Sequence, residues 1–357
     1  MAFHFITASK DATVYLQQPN QNTGLDEILE ISKIYYGNIK DVSRALIKFD
    51  LTNLSQSISV GDIELDTVVL SLKQTESEEI PLQYTIFAHP ISGSWEMGIG
   101  YRFDEITTAG VTWLYREGDS KTEWLENGLA TGSTANPNDG RGGVWYTLVS
   151  GSQSFDYETA DIHMNVKSVV SAWLSGSLEN SGFILKYSSE FENDTMDYGI
   201  LKFFSKETHT IYQPKLIVSW DDQVINTGSL SPLTFDDGLI VRIKNFKKEY
   251  RKNSNTILRV VGRELYPLKT FDNPYPHLDV KYLPTTSYYQ IIDFQSKEVI
   301  IPFSEHSKIS CDTNGNYIKL DLRNWEIDRV YKIEFKIDTG DDVIYFDDDY
   351  TFNIVDK

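Results

Sequence analysis

Only one of the 357 residues is a cysteine, Cys311. With no second thiol there is no intrachain disulfide, so the chain must be held together by packing. Basic residues are also scarce, with 33 Lys and Arg against 52 Asp and Glu, a formal net charge of −19. That balance argues against nucleic acid as a partner, because neutralising phosphates takes clustered Lys and Arg. It argues against an anionic membrane surface for the same reason, and it favours solubility. No apolar run approaches the roughly 18 residues of a membrane span. The opening Met-Ala-Phe-His-Phe-Ile-Thr-Ala has neither a basic n-region nor an apolar h-region, so no secretory signal is expected. The expected history is synthesis and assembly in a host cytoplasm, with release only as part of a particle. Histidine is sparse as well: the six stand at 4, 89, 163, 209, 277 and 306, and none has the i, i+4 spacing of a helical zinc pair.

What the chain has in quantity is aromatic and β-branched residues. Aromatics make up 13%, with 21 Tyr, 18 Phe and 7 Trp, a bias that suits pleated surfaces. Strand-like runs bounded by turn residues recur from end to end, among them 45–51, 65–72, 84–88, 183–187, 215–220, 239–243, 256–261, 317–322, 331–337 and 350–354. One helix stands out, where Val166, Val169, Val170, Trp173 and Leu174 make a stripe over two turns before Ser175-Gly176-Ser177 stops it. Between 92 and 143 the texture is Gly-, Ser-, Thr- and Asn-rich but carries Trp95, Trp113 and Trp124. It ends in the loop sequence Asn136 to Gly143. The pattern predicts an all-β protein: an N-terminal jelly-roll-type β-sandwich with one short helix over 1–222, a linker over 223–232, and an immunoglobulin-like β-sandwich region over 233–357. The last region divides in one version into two small modules near 285.

The order of motifs in the first two thirds is distinctive. Asp11-Ala-Thr-Val-Tyr15 is followed by a Pro-Asn loop, Asn22-Thr23-Gly24, the strand Ile28–Ile31 and Arg44-Ala-Leu-Ile-Lys-Phe-Asp-Leu51. Then come Ser94-Trp95-Glu96, Gly110-Val111-Thr112-Trp113, the helix, Asn180-Ser-Gly-Phe-Ile-Leu-Lys186 and Gln213-Pro-Lys-Leu-Ile-Val218. In this colinear order the chain resembles the DNRLRE, or disaggregatase-related, domain family over roughly its first 220 residues. The resemblance implies a jelly-roll sandwich related to carbohydrate-binding modules, in extracellular, surface or virion proteins. The stretches 38–43 and 98–103 depart from the family pattern as insertions. The last third is similar, more loosely, to β modules appended to structural proteins of tailed bacteriophages, and the whole chain resembles a virion protein of the tail, baseplate or neck.

No catalytic residue can be named. Glu190, Glu192, Asp194 and Asp197 form an acidic cluster, but a glycosidase needs two carboxylates at a set separation, and such runs are usually solvated. There is no Gly-x-Ser-x-Gly, and Gly140-Arg-Gly-Gly143 lacks the Lys-Ser or Lys-Thr of a phosphate loop. No cofactor is expected. Asp312-Thr-Asn-Gly-Asn316 starts like an EF-hand, but Tyr317 stands where Gly is required and Arg323 where a carboxylate is required, so a hairpin turn at Asn314-Gly315 is expected instead. The runs Asp338, Asp341, Asp342 and Asp347–Asp349 are candidate calcium ligands between loops. Trp95, Trp113, Trp124, Trp145 and Tyr146 are candidate ligand or interface aromatics, with packing under a long loop as the weightier alternative. Arg242, Lys244, Lys247, Lys248, Arg251 and Lys252 form a basic island, either a docking patch for an acidic neighbour or a solvated strand-turn face. The function expected is a non-enzymatic structural or assembly role in a virion, with other virion proteins as partners in a symmetric assembly. A carbohydrate-binding adhesion module recognising a cell-surface glycan is the alternative.

Overall fold

The computed structural model describes residues 3–59, 63–107, 109–124, 141–156, 161–234, 238–323 and 325–356. The loop sequence read at Asn136 to Gly140 lies outside them. The protein is all-β, built as sandwiches of several sheets. Among the described residues no helix is long and apolar enough to cross a membrane. The chain divides into two compact units, one of residues 6–218 and one that combines residues 1–5 with 219–357.

In the first unit the strand Ile39–Phe49 is the hub. It pairs antiparallel with the N-terminal strand Phe3–Tyr15, with Ile28–Tyr36 and with Phe183–Tyr187. From Phe183–Tyr187 the sheet runs on to Gln83–Pro90 and Gly151–Asp156; from Ile28–Tyr36 it runs to Gly199–Phe204 and Gln74–Glu78. The N-terminal strand has a register shift between Ala8 and Lys10, the local twist by which a strand serves two directions. Its other neighbour is Lys215–Ser219, followed by Thr67–Leu72 and Ile162–Asn165. Register fixes the faces: Ala12 opposes Leu46, and Leu46 opposes Ile184, all three fully buried. Because side chains alternate, Val42 and Arg44 lie on the same face as Leu46.

The helix predicted from its stripe is present as Lys167–Leu174, with Val169, Val170 and Trp173 buried. Two further helices, Thr52–Ser59 and Ser189–Asn193, were not expected. Both are short and polar, and the second is capped by the Ser188 hydroxyl, which accepts from the Phe191 N–H.

The second unit has a six-stranded sheet and a five-stranded sheet. Strands from both sides of residue 285 share each: Asn255–Glu264 pairs with Gly315–Asp321, and Glu249–Arg251 pairs with Val343–Val355. The region is therefore one body, not two modules. Nor is 223–232 a free linker. The Cys311 N–H donates to the Val224 carbonyl at 2.8 Å and the Asn226 N–H to the Cys311 carbonyl at 2.9 Å, so this stretch joins the unit's backbone ladder. The segment Phe3-His4-Phe5 belongs to this unit as well. Phe3 packs edge-on to His306, Phe5 edge-on to Trp325, and His4 Nδ1 lies 3.6 Å from the Asp321 carboxylate.

The expected hairpin is present, but its turn is Thr313-Asn314, one residue before the expected Asn314-Gly315, because Asp312 pairs with Gly315. Gly315 has φ +113°, a conformation that favours glycine. Asp312 accepts from the Asn314 N–H and binds the Arg259 guanidinium at 2.7 Å, so its carboxylate is taken by the protein itself. In the strand Val343–Val355 the pairing slips between Ile333–Tyr350 and Phe335–Phe346, and Asp347–Asp349 sit in that irregularity. Lys332 binds Asp347 and lies 3.5 Å from Asp349. Among the described residues no three His, Cys, Asp or Glu side chains converge to hold a metal ion.

Candidate functional site

Arg44 sits in the run Val42-Ser43-Arg44-Ala45-Leu46, where its strand position sends it into the core, 5% exposed. A buried guanidinium needs a full set of acceptors. Arg44 Nε donates to Glu192 Oε1 at 3.0 Å and Nη2 to Oε2 at 2.8 Å, a bidentate pair; Nη1 donates to the Gly142 carbonyl at 2.7 Å. The plane of the guanidinium is flanked by two indoles, its carbon 4.7 Å from the Trp113 ring centroid and 5.1 Å from that of Trp145. Weak hydration and a flat charge let arginine stack in this way.

Lys186 completes the cluster. Its Nζ lies 3.0 Å from Glu192 Oε2, donates to the Tyr187 carbonyl at 2.6 Å and stands over the Trp145 ring at 5.0 Å. Two cations thus share one carboxylate. Burial alone pushes the Glu192 carboxyl up, but Arg44 and Lys186 outweigh it and hold it below the ordinary value. Burial pushes the Lys186 amine down to about 8; Glu192 opposes that shift and Arg44 adds to it. Burial and then Lys186 push the neighbouring His89 down to about 4, so its imidazole is neutral at physiological pH.

The tryptophans singled out from the sequence pack around this cluster. Trp95, Trp113, Trp124 and Trp145 belong to one buried core group together with Val42, Leu46 and Ile184. Two of their polar edges are used internally. Trp95 Nε1 donates to the Ser181 carbonyl at 2.8 Å and Trp124 Nε1 to the Thr112 carbonyl at 3.1 Å. Tyr146 alone is half-buried. Gly142 is a geometric requirement here: at φ +71°, a Cβ on it would lie 2.7 Å from the Trp113 ring.

The acidic cluster divides: Glu190 and Asp197 are exposed, as expected of a solvated face, but Glu192 and Asp194 are not. Glu192 is 4% exposed and is the anion of the buried cluster. Asp194 Oδ1 binds the fully buried Lys33 at 2.8 Å and its Oδ2 accepts from the Tyr198 hydroxyl at 2.7 Å; Asp197 accepts from the Gly199 N–H. The correction has a physical cause. Arg44 and Lys33 lie far away in sequence, and Lys186 is on the strand just before the cluster; all three stand on strands whose interior faces need an anion. Arg44 and Lys186 were themselves missed, although each is a single cation inside an apolar strand run, and that was the available signal.

Beside the cluster opens a cleft of about 530 Å³. Leu16, Lys40, Trp113, Leu114, Arg141 and Asn193 line it, with Arg44 and Glu192 at its base. Lys40 donates to Asn193 at 3.0 Å. Among the described residues Glu192 is the one carboxylate of this lining, and both its oxygens are engaged. The described lining offers an indole and cationic side chains for contact.

The basic island is a second candidate surface. Arg242, Lys244, Lys247, Lys248 and Arg251 are exposed and Lys252 is half-buried. The backbone that carries them is fixed. The Asn245 amide donates to the Ile257 carbonyl and accepts from the Arg259 N–H, the Lys247 N–H donates to the Tyr250 hydroxyl, and the Lys248 carbonyl accepts from the Asn353 N–H. None of the six side chains has an ion-pair partner among the described residues. Cys311 is buried, and burial pushes its thiol pKa up, away from nucleophile chemistry.

No family model matches the chain, and no curated protein matches it. Among solved structures, two of the β-glucuronidase of Parabacteroides merdae, one with glycerol in its active site, align at 9% and 10% identity with a TM-score of 0.15. The alignments cover 82% of this chain, which spans only 28% and 29% of those chains.

Proposed function

We propose that the protein is a non-enzymatic structural component of a tailed-phage virion, in the tail, baseplate or neck, that docks to other virion proteins in a symmetric assembly. The basic island carries the docking part of this reading. Six cations are held on a fixed backbone without an ion-pair partner among the described residues, in a chain whose net charge is −19. Opposite-sign patches choose partners and set register more than they add affinity. The particle class is supported by the sequence resemblance alone. Mass spectrometry of purified particles is expected to find the chain at a fixed copy number, and its absence from them would sink the proposal. Lys247→Glu with Lys248→Glu is expected to reduce incorporation without changing the melting temperature.

A second reading is a carbohydrate-binding adhesion module, favoured by the cleft beside Trp113. Titration with bacterial polysaccharides is expected to change tryptophan fluorescence if it holds. Unchanged emission together with an empty glycan array would count against it.

A further inference from the structure

The loop Leu265 to Val280, between the strands Asn255–Glu264 and Lys281–Tyr282, turns its large apolar side chains to solvent. Tyr266 is 73% exposed, Leu268 82%, Phe271 101%, Tyr275 64% and Leu278 70%. Isolated exposed apolar residues are ordinary, but a contiguous group of this size in one loop marks an interaction site. A loop this long is usually functional or a linker. This one has internal structure. The Thr270 N–H donates to the Asn273 carbonyl, Asn273 donates to Asp279 at 2.6 Å, and Pro276–Leu278 forms a 3-10 turn. Pro267, Pro274 and Pro276 restrict the backbone further. At its base Lys281 binds Glu264 at 2.5 Å, and Gly262 pairs with Lys281.

We infer that this arm is a self-association surface that packs against the same arm of a second copy of the chain. Two observations select that occupant. The first is area. With aromatics covering about 150–250 Å² each, three aromatics and two leucines at these exposures offer on the order of 700 Å² per copy. That is close to the roughly 800 Å² per partner of a standard-size interface. The second is charge. The arm carries Lys269 against Asp272 and Asp279, a net of 1 − 2 = −1, inside a chain of −19. Two copies can meet there with little of the repulsion that their other surfaces carry. A two-fold contact also lets one patch serve as both partners, and a stiffened arm loses less freedom on docking. The contact is distinct from the basic island and stands whether or not that face docks.

Sedimentation velocity of the full chain, across concentrations from low to high micromolar, tests it. The unaltered chain is expected to dimerise. Leu268→Glu with Phe271→Glu is expected to weaken association by roughly thirtyfold or more, the scale of a hot-spot loss. Both side chains are exposed, so urea unfolding of the variant is expected to match the parent. A parent chain that sediments as a monomer at every concentration overturns the inference, and so does a folded variant that dimerises like the parent.

Discussion

Glu192 shows how one carboxylate can hold several elements. It ties the strand of Arg44, the strand of Lys186 and its own short helix, while Arg44 draws in the carbonyl of Gly142. Removing the anion strands two buried cations, and a broken buried pair costs about 3–5 kcal/mol. Glu192→Gln is expected to lower stability by that order in urea unfolding, while Lys186→Met costs much less, because the Arg44 pair survives. A Glu192→Gln variant within about 0.5 kcal/mol of the parent, the usual range for surface changes, would show that the cluster contributes little. Asp11 gives the opposite case. Burial pushes its carboxyl up to about 7, although the Lys206 N–H donates to it. The native state then holds a proton that the unfolded state releases between about pH 4 and 7, so stability falls as pH rises through that window. Asp11→Asn is expected to match the parent near pH 4 and to exceed it by roughly 2–4 kcal/mol at pH 8, at about 1.4 kcal/mol per pKa unit. Equal stabilities at pH 8 would refute the burial argument.

At the scale of elements, one side chain ties together three points of the irregular stretch after residue 92. Asn22 is fully buried. Its amide nitrogen donates to the carbonyls of Met97 and Val111 at 2.8 Å each, and its oxygen accepts from the N–H groups of Gly24 and Gly100. Asn22→Asp keeps the shape but loses both donors, and it faces two carbonyls with a charge. With each buried unsatisfied group worth about 1–3 kcal/mol, it is expected to destabilise at least as much as Asn22→Ala. Thermal melts of the two variants decide this, and an Asp variant near parental stability would contradict it. The strands and the helix Lys167–Leu174 were legible in the sequence because period-2 and 3.6-residue patterns are local. The helix Ser189–Asn193 was not, since its burial depends on Arg44 and Lys186 rather than on its own polar sequence. The tryptophans were legible as rings that more readily pack under the long loop than face a ligand, and they are buried; what the sequence could not show is the Arg44 and Lys186 cations they enclose, because those sit on other strands. The three consecutive aspartates read as metal ligands are better explained by their place in the sheet. They fall where the strand Val343–Val355 slips register against Val330–Asp338, ahead of the Asn353–Val355 segment that pairs with Glu249–Arg251, and charge with a register slip there discourages pairing with another chain.

For the whole molecule, the two units are not the two halves that the composition suggested. A change of texture near residue 222 is real, but Phe3, His4 and Phe5 are part of the unit that begins at 219. No local pattern reveals this, because their partners His306, Trp325 and Asp321 lie at the other end of the chain. A fragment of residues 219–357 is therefore expected to be less stable than the same unit in the full chain. Substituting Phe5→Ala in the full chain should lower that unit's transition by about 3–5 kcal/mol, the usual cost of such a truncation in a core. If the fragment unfolds at the same denaturant concentration as the unit in the full chain, the segment contributes nothing.

This threading also bears on how the protein is made. Synthesis runs from the N-terminus, and domains generally fold as they are completed. Residues 6–218 can finish folding while the ribosome is still adding the second unit. Phe3 and Phe5 meanwhile wait as an apolar segment with no seat, until Trp325 has been translated. The earliest of these residues to emerge are thus among the last to be placed. During that interval the segment is open to chaperones, to proteases and to the same segment of neighbouring nascent chains.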